Sequence, residues 1–332
     1  MTPRQVLLLF VAAFFWGTAY PFIGMALEGF SWTAVVFLRC AMAGIALLAV
    51  ILLWGKRYRA ALSDLYRRPG PALLLAVTSM TAPFLLISFA QQRVPGGLTG
   101  VIVAATPIFV GLYALRLDRT ERFGRRRAVG LAVGLVGVAL VVGLGAVSTM
   151  GQFLSALVIL VAAALFALAG FVTKSYYEGV PPITRAFFAL LITSGLTAIP
   201  AAATIPDGAP GTGALIGILL LGLGSTACGL YAYFTLIDEV GAGRAALVTY
   251  LGPGFSLLMG ALLLGERIAP VSVVGLALIL GGVVIASRAD HPAEIQTATP
   301  RCEGLATGHP EPDRVPAKTA PGPGATGGEV RQ

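Results

Sequence analysis

The chain has 332 residues, 57% of them hydrophobic and only 11% charged, with a formal net charge of +8. A soluble domain carries about 25% charged residues. A water-soluble enzyme, a disulfide-stapled secreted module and a disordered chain are therefore excluded. The three cysteines (Cys40, Cys228, Cys302) lie far apart and give neither a metal site nor a disulfide framework.

Stretches without Asp, Glu, Lys or Arg run over 5–27, 69–92, 94–115, 128–173, 186–206, 208–237, 245–265 and 268–287. A membrane-crossing helix needs about 20 apolar residues. The stretch 128–173 is too long for one span, and its Gly, Ser and Thr between Gly143 and Gln152 read as a turn between two. Residues 32–54 add a span with one charge inside it, Arg39. The expected fold is an all-α polytopic membrane protein with ten helices, near 6–27, 32–54, 71–91, 97–115, 128–146, 152–173, 184–205, 213–236, 243–264 and 270–287. The first stretch is too long, and too like the rest of the chain, for a cleaved signal peptide, so it reads as a retained span.

Positive charge alternates with the loops. The loop after span 2 holds Lys56, Arg57, Arg59, Arg67 and Arg68, and the loop after span 4 holds six arginines. Arg4, Lys174, Arg185, Arg244 and Arg288 fall on the same side, and the opposite loops hold only Arg93 and Arg267. Cytoplasmic loops retain Lys and Arg, which puts both termini inside. The charge is then a topology signal, and no nucleic-acid partner is needed. Residues 288–332, rich in Pro, Gly and Thr, cannot bury a core and read as a disordered cytoplasmic tail.

The chain also repeats. Shifted by 146, residues 72–115 overlay 218–261: Ser79 meets Ser225, Gly97 meets Gly243, Pro107 meets Pro253 and Phe109 meets Phe255. At an offset of 145, Glu121-Arg122 meets Glu266-Arg267, and Val129–Ala132 meets Val274–Ala277. The expected units are 1–147 and 148–287, five helices each. An odd number of spans forces the second unit to enter from the opposite side, so the repeats are inverted. That arrangement is characteristic of secondary transporters.

Together with Phe15-Trp16-Gly17 in span 1, Phe37-Leu38-Arg39 in span 2 and the recurring Pro107–Glu121–Gly130 and Pro253–Glu266–Gly275 pattern, the chain resembles the EamA family of the drug/metabolite transporter superfamily over 1–287. The resemblance implies a permease for a small organic metabolite or drug, often an exporter, in a bacterial inner membrane. It does not imply a substrate. The halves differ, since Phe166-Ala167 stands where Trp16-Gly17 would and no arginine matches Arg39.

Arg39 is the one ionisable group well inside a span, about seven residues or ~10 Å from its outer end. It either meets an anionic group of the substrate, such as a carboxylate, or snorkels outward or braces the fold through helix carbonyls or Glu28. Other expected cavity residues are small polar or aromatic and share helix faces: Trp16 and Tyr20 on span 1, Thr81 and Ser88 on span 3, Thr106 on span 4, Ser225 and Tyr233 on span 8, Thr249 and Ser256 on span 9. Pro83, Pro107 and Pro253 lie near mid-depth and are expected to kink spans 3, 4 and 9, the last two as matched gates. The glycines of spans 5 and 10 read as close-packing positions. No Asp, Glu or His lies mid-span, and no catalytic, metal or cofactor motif is found, which counts against an enzyme and against a carboxylate proton relay. The expected partners are a small-molecule substrate and the lipid bilayer, with a proton or an exchanged solute left open as coupling species. A passive channel or a non-transporting receptor on the same scaffold are the alternatives.

Overall fold

The computed structural model describes residues 1–54, 69–117, 125–143, 149–177, 179–204, 208–241, 245 and 247–287. The expected tail 288–332, the basic cluster Lys56–Arg68 and the pair Glu121-Arg122 lie outside the described residues.

All regular structure among the described residues is helical. The α-helices are α1 Pro3–Leu27, α2 Trp32–Trp54, α3 Pro69–Ala76, α4 Ala82–Ala90, α5 Gly96–Val103, α6 Thr106–Leu117, α7 Arg125–Gly143, α8 Met150–Tyr176, α9 Pro182–Ala202, α10 Thr212–Leu219, α11 Gly229–Val240, α12 Val248–Leu264 and α13 Pro270–Ser287. Seven helical runs are long and apolar enough to cross a membrane, and three further apolar helices, Ala128–Val142, Val248–Leu264 and Pro270–Ile285, are shorter. In hydrocarbon every backbone N–H and C=O must be satisfied internally, which is why such apolar runs are helical. Large apolar side chains face outward, among them Leu53 at 77% and Ile199 at 81% exposure. Water would not tolerate them in such number, and lipid does.

Helix ends follow local chemistry. The Thr2 hydroxyl accepts from the Gln5 amide, the Gln5 side chain accepts from the Thr2 amide, and Pro3 opens α1. Gly265, at φ +63°, closes α12 in the left-handed conformation that a glycine adopts without a Cβ clash.

Three spans differ from simple expectation. Spans 3 and 8 each contain a π-helical segment, Val77–Thr81 between α3 and α4 and Leu220–Cys228 between α10 and α11. In the first, the Ala82 amide bonds the Val77 carbonyl five residues back. Pro83, which has no N–H, sits in the first turn of α4 directly after this wider turn. Span 4, expected as one helix over 97–115, is broken at Ala104–Ala105. Pro107 offers no N–H to the Val103 carbonyl, and the Thr106 hydroxyl bonds that carbonyl instead, at 2.7 Å. Pro253, by contrast, lies inside an unbroken α12. Pro21 and Pro200, which sequence reading passed over, also sit inside helices.

Helix seams are made by small residues. The α7–α13 seam is the most extensive in the bundle. A methyl group on Gly137 would fall against the Gly275 carbonyl, and one on Gly282 against the Gly130 carbonyl and Gly134 amide. The close-packing expectation for these glycines holds, with Gly281 as the exception that meets nothing. Likewise α1 meets α12 where Gly17 abuts the Gly252 carbonyl, and α2 packs along α9.

Candidate functional site

A cavity of about 720 Å³ lies among the helices. Of the residues expected to line it, Trp16, Tyr20, Arg39, Thr106, Ser225, Tyr233 and Thr249 do so, with Pro107 and Pro253. Four others are spent elsewhere. The Thr81 and Thr193 hydroxyls bond each other at 2.8 Å, tying the first π-segment to α9. The Ser256 hydroxyl donates to the Gly96 carbonyl at 3.2 Å, tying α12 to α5. Ser88 and Pro83 are buried in α4, and the Ser88 hydroxyl has no partner among the described residues. Sequence periodicity gave the face each occupies but not the neighbour that covers it. Because the Thr81–Thr193 bond is buried and neutral, a double-mutant cycle of Thr81→Val and Thr193→Val should return about 1 kcal/mol of coupling in detergent unfolding. Transport affinity should be unaffected by either.

The cavity wall is largely aromatic and aliphatic. The Trp16 and Tyr233 rings lie 4.4 Å apart, tilted by 40°. Gly229, one turn before Tyr233, gives the Trp16 indole room; a methyl group there would collide with it. Gly229 and Tyr233 together therefore seat an indole from span 1. Residues that sequence reading missed complete the wall: Ser79 and Phe84 near span 3's π-segment, Phe166 on α8, Thr226, Phe234 and Tyr250. Ser79 could have been found, because it matches Ser225 in the repeat. Phe166 could have been as well, since it stands where Trp16 would; Phe84, Thr226, Phe234 and Tyr250 carry no such signal.

Arg39 is 5% exposed and borders the cavity. Its Nε and Nη2 donate to the Thr226 hydroxyl at 3.2 and 3.1 Å. That hydroxyl in turn donates to the Leu221 carbonyl at 2.8 Å, inside the second π-segment. The Arg39 guanidinium carbon lies 3.9 Å from the centroid of the Phe84 ring, a cation–π contact. No carboxylate pairs with Arg39 among the described residues, so the expected alternative partner Glu28 is not used.

One end of the bundle is tightly closed. The Glu266 carboxylate, at the end of α12, accepts the Gly96 and Gly97 amides at 2.6 and 2.8 Å, capping α5. Leu264 reaches Gly24 near the end of α1. The Thr33 and Thr204 hydroxyls join α2 to the end of α9 at 2.8 Å. The cavity reaches the other way, to the opening residues of α12 (Val248–Tyr250), to Gly130 early in α7 and to Gly282 late in α13. At that other end Arg4 pairs with Glu239 at 3.1 Å.

Comparison with known proteins identifies the family. The profile of the EamA-like transporter family matches twice, over residues 3–143 and 153–288. An uncharacterized transporter of Archaeoglobus fulgidus is 29% identical over 289 residues, covering 86% of this chain and 99% of its own. A protein named "Probable terminal-alkyne amino-acid exporter" from Streptantibioticus cattleyicolor is 29% identical over 294 residues, 86% of this chain and 94% of its own. The uncharacterized inner membrane transporter YedA of Escherichia coli is 28% identical over 290 residues, 85% and 91%. A solved crystal structure shares the fold with a TM-score of 0.62 at 19% identity, covering 88% of this chain and 100% of that one. These relatives are transporters rather than enzymes, and with the family profile matched along most of its length, the chain belongs to the EamA-like transporter family.

Proposed function

We propose that the protein is a secondary transporter that exports a small organic solute across an inner membrane by alternating access. In this reading ten helices form two inverted five-helix halves, 1–147 and 148–287, with both termini cytoplasmic. The observation that carries it is the central cavity, walled by helices of both halves and shut off at the Glu266 end. Alternating access needs a site sealed from one side at a time.

Three further observations support the inverted halves. The family profile matches once in each. Shifted by 146, the π-segment Val77–Thr81 falls on residues 223–227, within Leu220–Cys228. The seams pair corresponding spans: α2 with α9 (spans 2 and 7), α5 with α12 (4 and 9), and α7 with α13 (5 and 10). Off those pairs the seams exchange, because α1 packs on α10 and α11 of span 8 while α8 of span 6 packs on α4 of span 3. The matched prolines differ in state, with a broken helix at Pro107 and a continuous one at Pro253. This difference between the matched spans is compatible with a conformation that treats the two sides of the membrane unequally. Export is favoured by the exporter name of the Streptantibioticus cattleyicolor relative, and the inner membrane by that of YedA.

Saturable flux with counterflow in proteoliposomes tests the proposal. Linear, non-saturating flux would instead mark a channel, and binding without flux a receptor. The cavity assignment has its own check. Trp16→Ala and Tyr233→Ala each remove one ring of the stacked pair and should weaken apparent affinity about tenfold, in line with ~1–1.5 kcal/mol per aromatic contact. Thr249→Ala should have a smaller effect. Normal affinity in all three variants would show that the solute binds elsewhere.

A further inference from the structure

The transport reading leaves the chemistry of the solute open, and the surroundings of Arg39 narrow it. Its guanidinium is held from one side only. Two donors are turned onto a single threonine oxygen, and Phe84 covers one face. The Thr226 hydroxyl has already given its proton to the Leu221 carbonyl, so it can only accept, and the guanidinium is fixed in place. A guanidinium carries five N–H groups, and Nη1 makes no hydrogen bond among the described residues. If Arg39 served only to brace the bundle, a carboxylate or a set of helix carbonyls would be expected around it. Among the described residues it has one hydroxyl and the face of one aromatic ring.

A second, independent observation points to a ligand. Ser225, next in the chain to Thr226, borders the same cavity with 1% of its surface exposed, and its hydroxyl has no partner among the described residues. A buried hydroxyl left unmatched costs free energy unless something arrives to meet it. Among the described residues that line the cavity there is no Asp, Glu or His to balance a cation. The remaining wall offers the Trp16–Tyr233 pair, suited to an apolar body.

We infer that the cavity selects organic monocarboxylates with an apolar body, the carboxylate on Arg39 and Ser225 and the body against Trp16 and Tyr233, in preference to neutral, cationic or zwitterionic relatives of the same shape. The inference rests on the transporter reading for its purpose but not for its binding chemistry. A cavity of about 720 Å³ has room for such a molecule. A planar carboxylate suits the guanidinium fork, and in a low-dielectric site that pairing is strong.

The test uses the purified full chain and three probes of one shape: 3-phenylpropanoate, 3-phenylpropanamide and 3-phenylpropylammonium. Affinities are read by tryptophan fluorescence and by the shift in unfolding midpoint. The acid should bind at least about tenfold more tightly than the amide, with the ammonium weakest. Arg39→Gln should remove the acid-to-amide preference, Arg39→Lys should keep part of it, and Ser225→Ala should reduce it. Equal affinity for acid and amide in the unsubstituted protein, or no binding of any probe at millimolar concentration, would overturn the inference. The acid-to-amide ratio and Ser225→Ala decide the matter even where Arg39→Gln does not fold. Saturable counterflow of a neutral solute without acid preference would sink the anion assignment and leave transport standing. Acid binding without counterflow would do the reverse.

Discussion

Replacing Gly282 by leucine is expected to abolish the folded protein, while the same change at the adjacent Gly281 leaves it folded. The two residues share a helix, a composition and a depth, and differ only in what they face. A Cβ on Gly282 would meet the Gly130 carbonyl and the Gly134 amide, which are backbone atoms of α7 and cannot swing aside. A Cβ on Gly281 meets nothing. Between apolar helices in lipid no hydrophobic force drives association, and close backbone approach supplies the attraction. Prising α13 off α7 forfeits that contact along the whole seam, which Gly137 and Gly275 extend. Overpacking a well-fitted site costs about 1–3 kcal/mol, and a leucine against unyielding backbone should reach or exceed the upper figure. The folded fraction by size-exclusion chromatography, with unfolding midpoints of whatever folds, is the measurement. Equal behaviour of the two variants would mean that the α7–α13 seam does not carry the stability of the fold.

The contrast between these neighbours also shows what a sequence of this kind can reveal. Charge is scarce, so each charge stands out: Arg39 is visible inside span 2 as a single letter. Its partner Thr226 is not visible, because it lies 187 residues away and one more hydroxyl in an apolar run carries no signal. Glycine spacing in spans 5 and 10 announced tight packing, and the seam is there. For Thr81, Ser88 and Ser256 the helical period placed them on a polar face, but two of those faces turn to a neighbouring helix instead of the cavity. Proline gave a mixed result. The letter is plain, yet Pro107 breaks a helix, Pro83 shelters behind a π-segment and Pro253 rides inside an intact one. At Pro107 the orphaned Val103 carbonyl is met by the Thr106 hydroxyl. That is decided in three dimensions.

Glu266→Ala is expected to open the closed end of the bundle. The reason starts with α5, whose entry residue Pro95 supplies no side-chain cap. The first amides of the helix, on Gly96 and Gly97, would be orphaned without the two oxygens of Glu266. A carboxylate at a helix N-terminus also meets the positive end of the helix dipole. Hydrogen bonds to a charged group are each worth about 1.5–3 kcal/mol. Glu266 is only half-buried, so a net of about 2–3 kcal/mol for both together is reasonable after solvent screening. If the closed and open forms differ in this contact, losing it moves their ratio by roughly 30- to 150-fold. Leu98 is the reporter, being 6% exposed and lining a small cleft of about 210 Å³ beside Glu266. With Cys40, Cys228 and Cys302 replaced, L98C should react slowly with a maleimide in detergent and at least about tenfold faster once Glu266→Ala is added, since a tenfold change asks only 1.4 kcal/mol of the cap. Glu266→Gln, which keeps one acceptor oxygen, should fall between. An unchanged labelling rate would mean that the cap merely finishes a helix, and that the seal at this end is made by the packing of Gly24 on Leu264 and the Thr33–Thr204 pair alone.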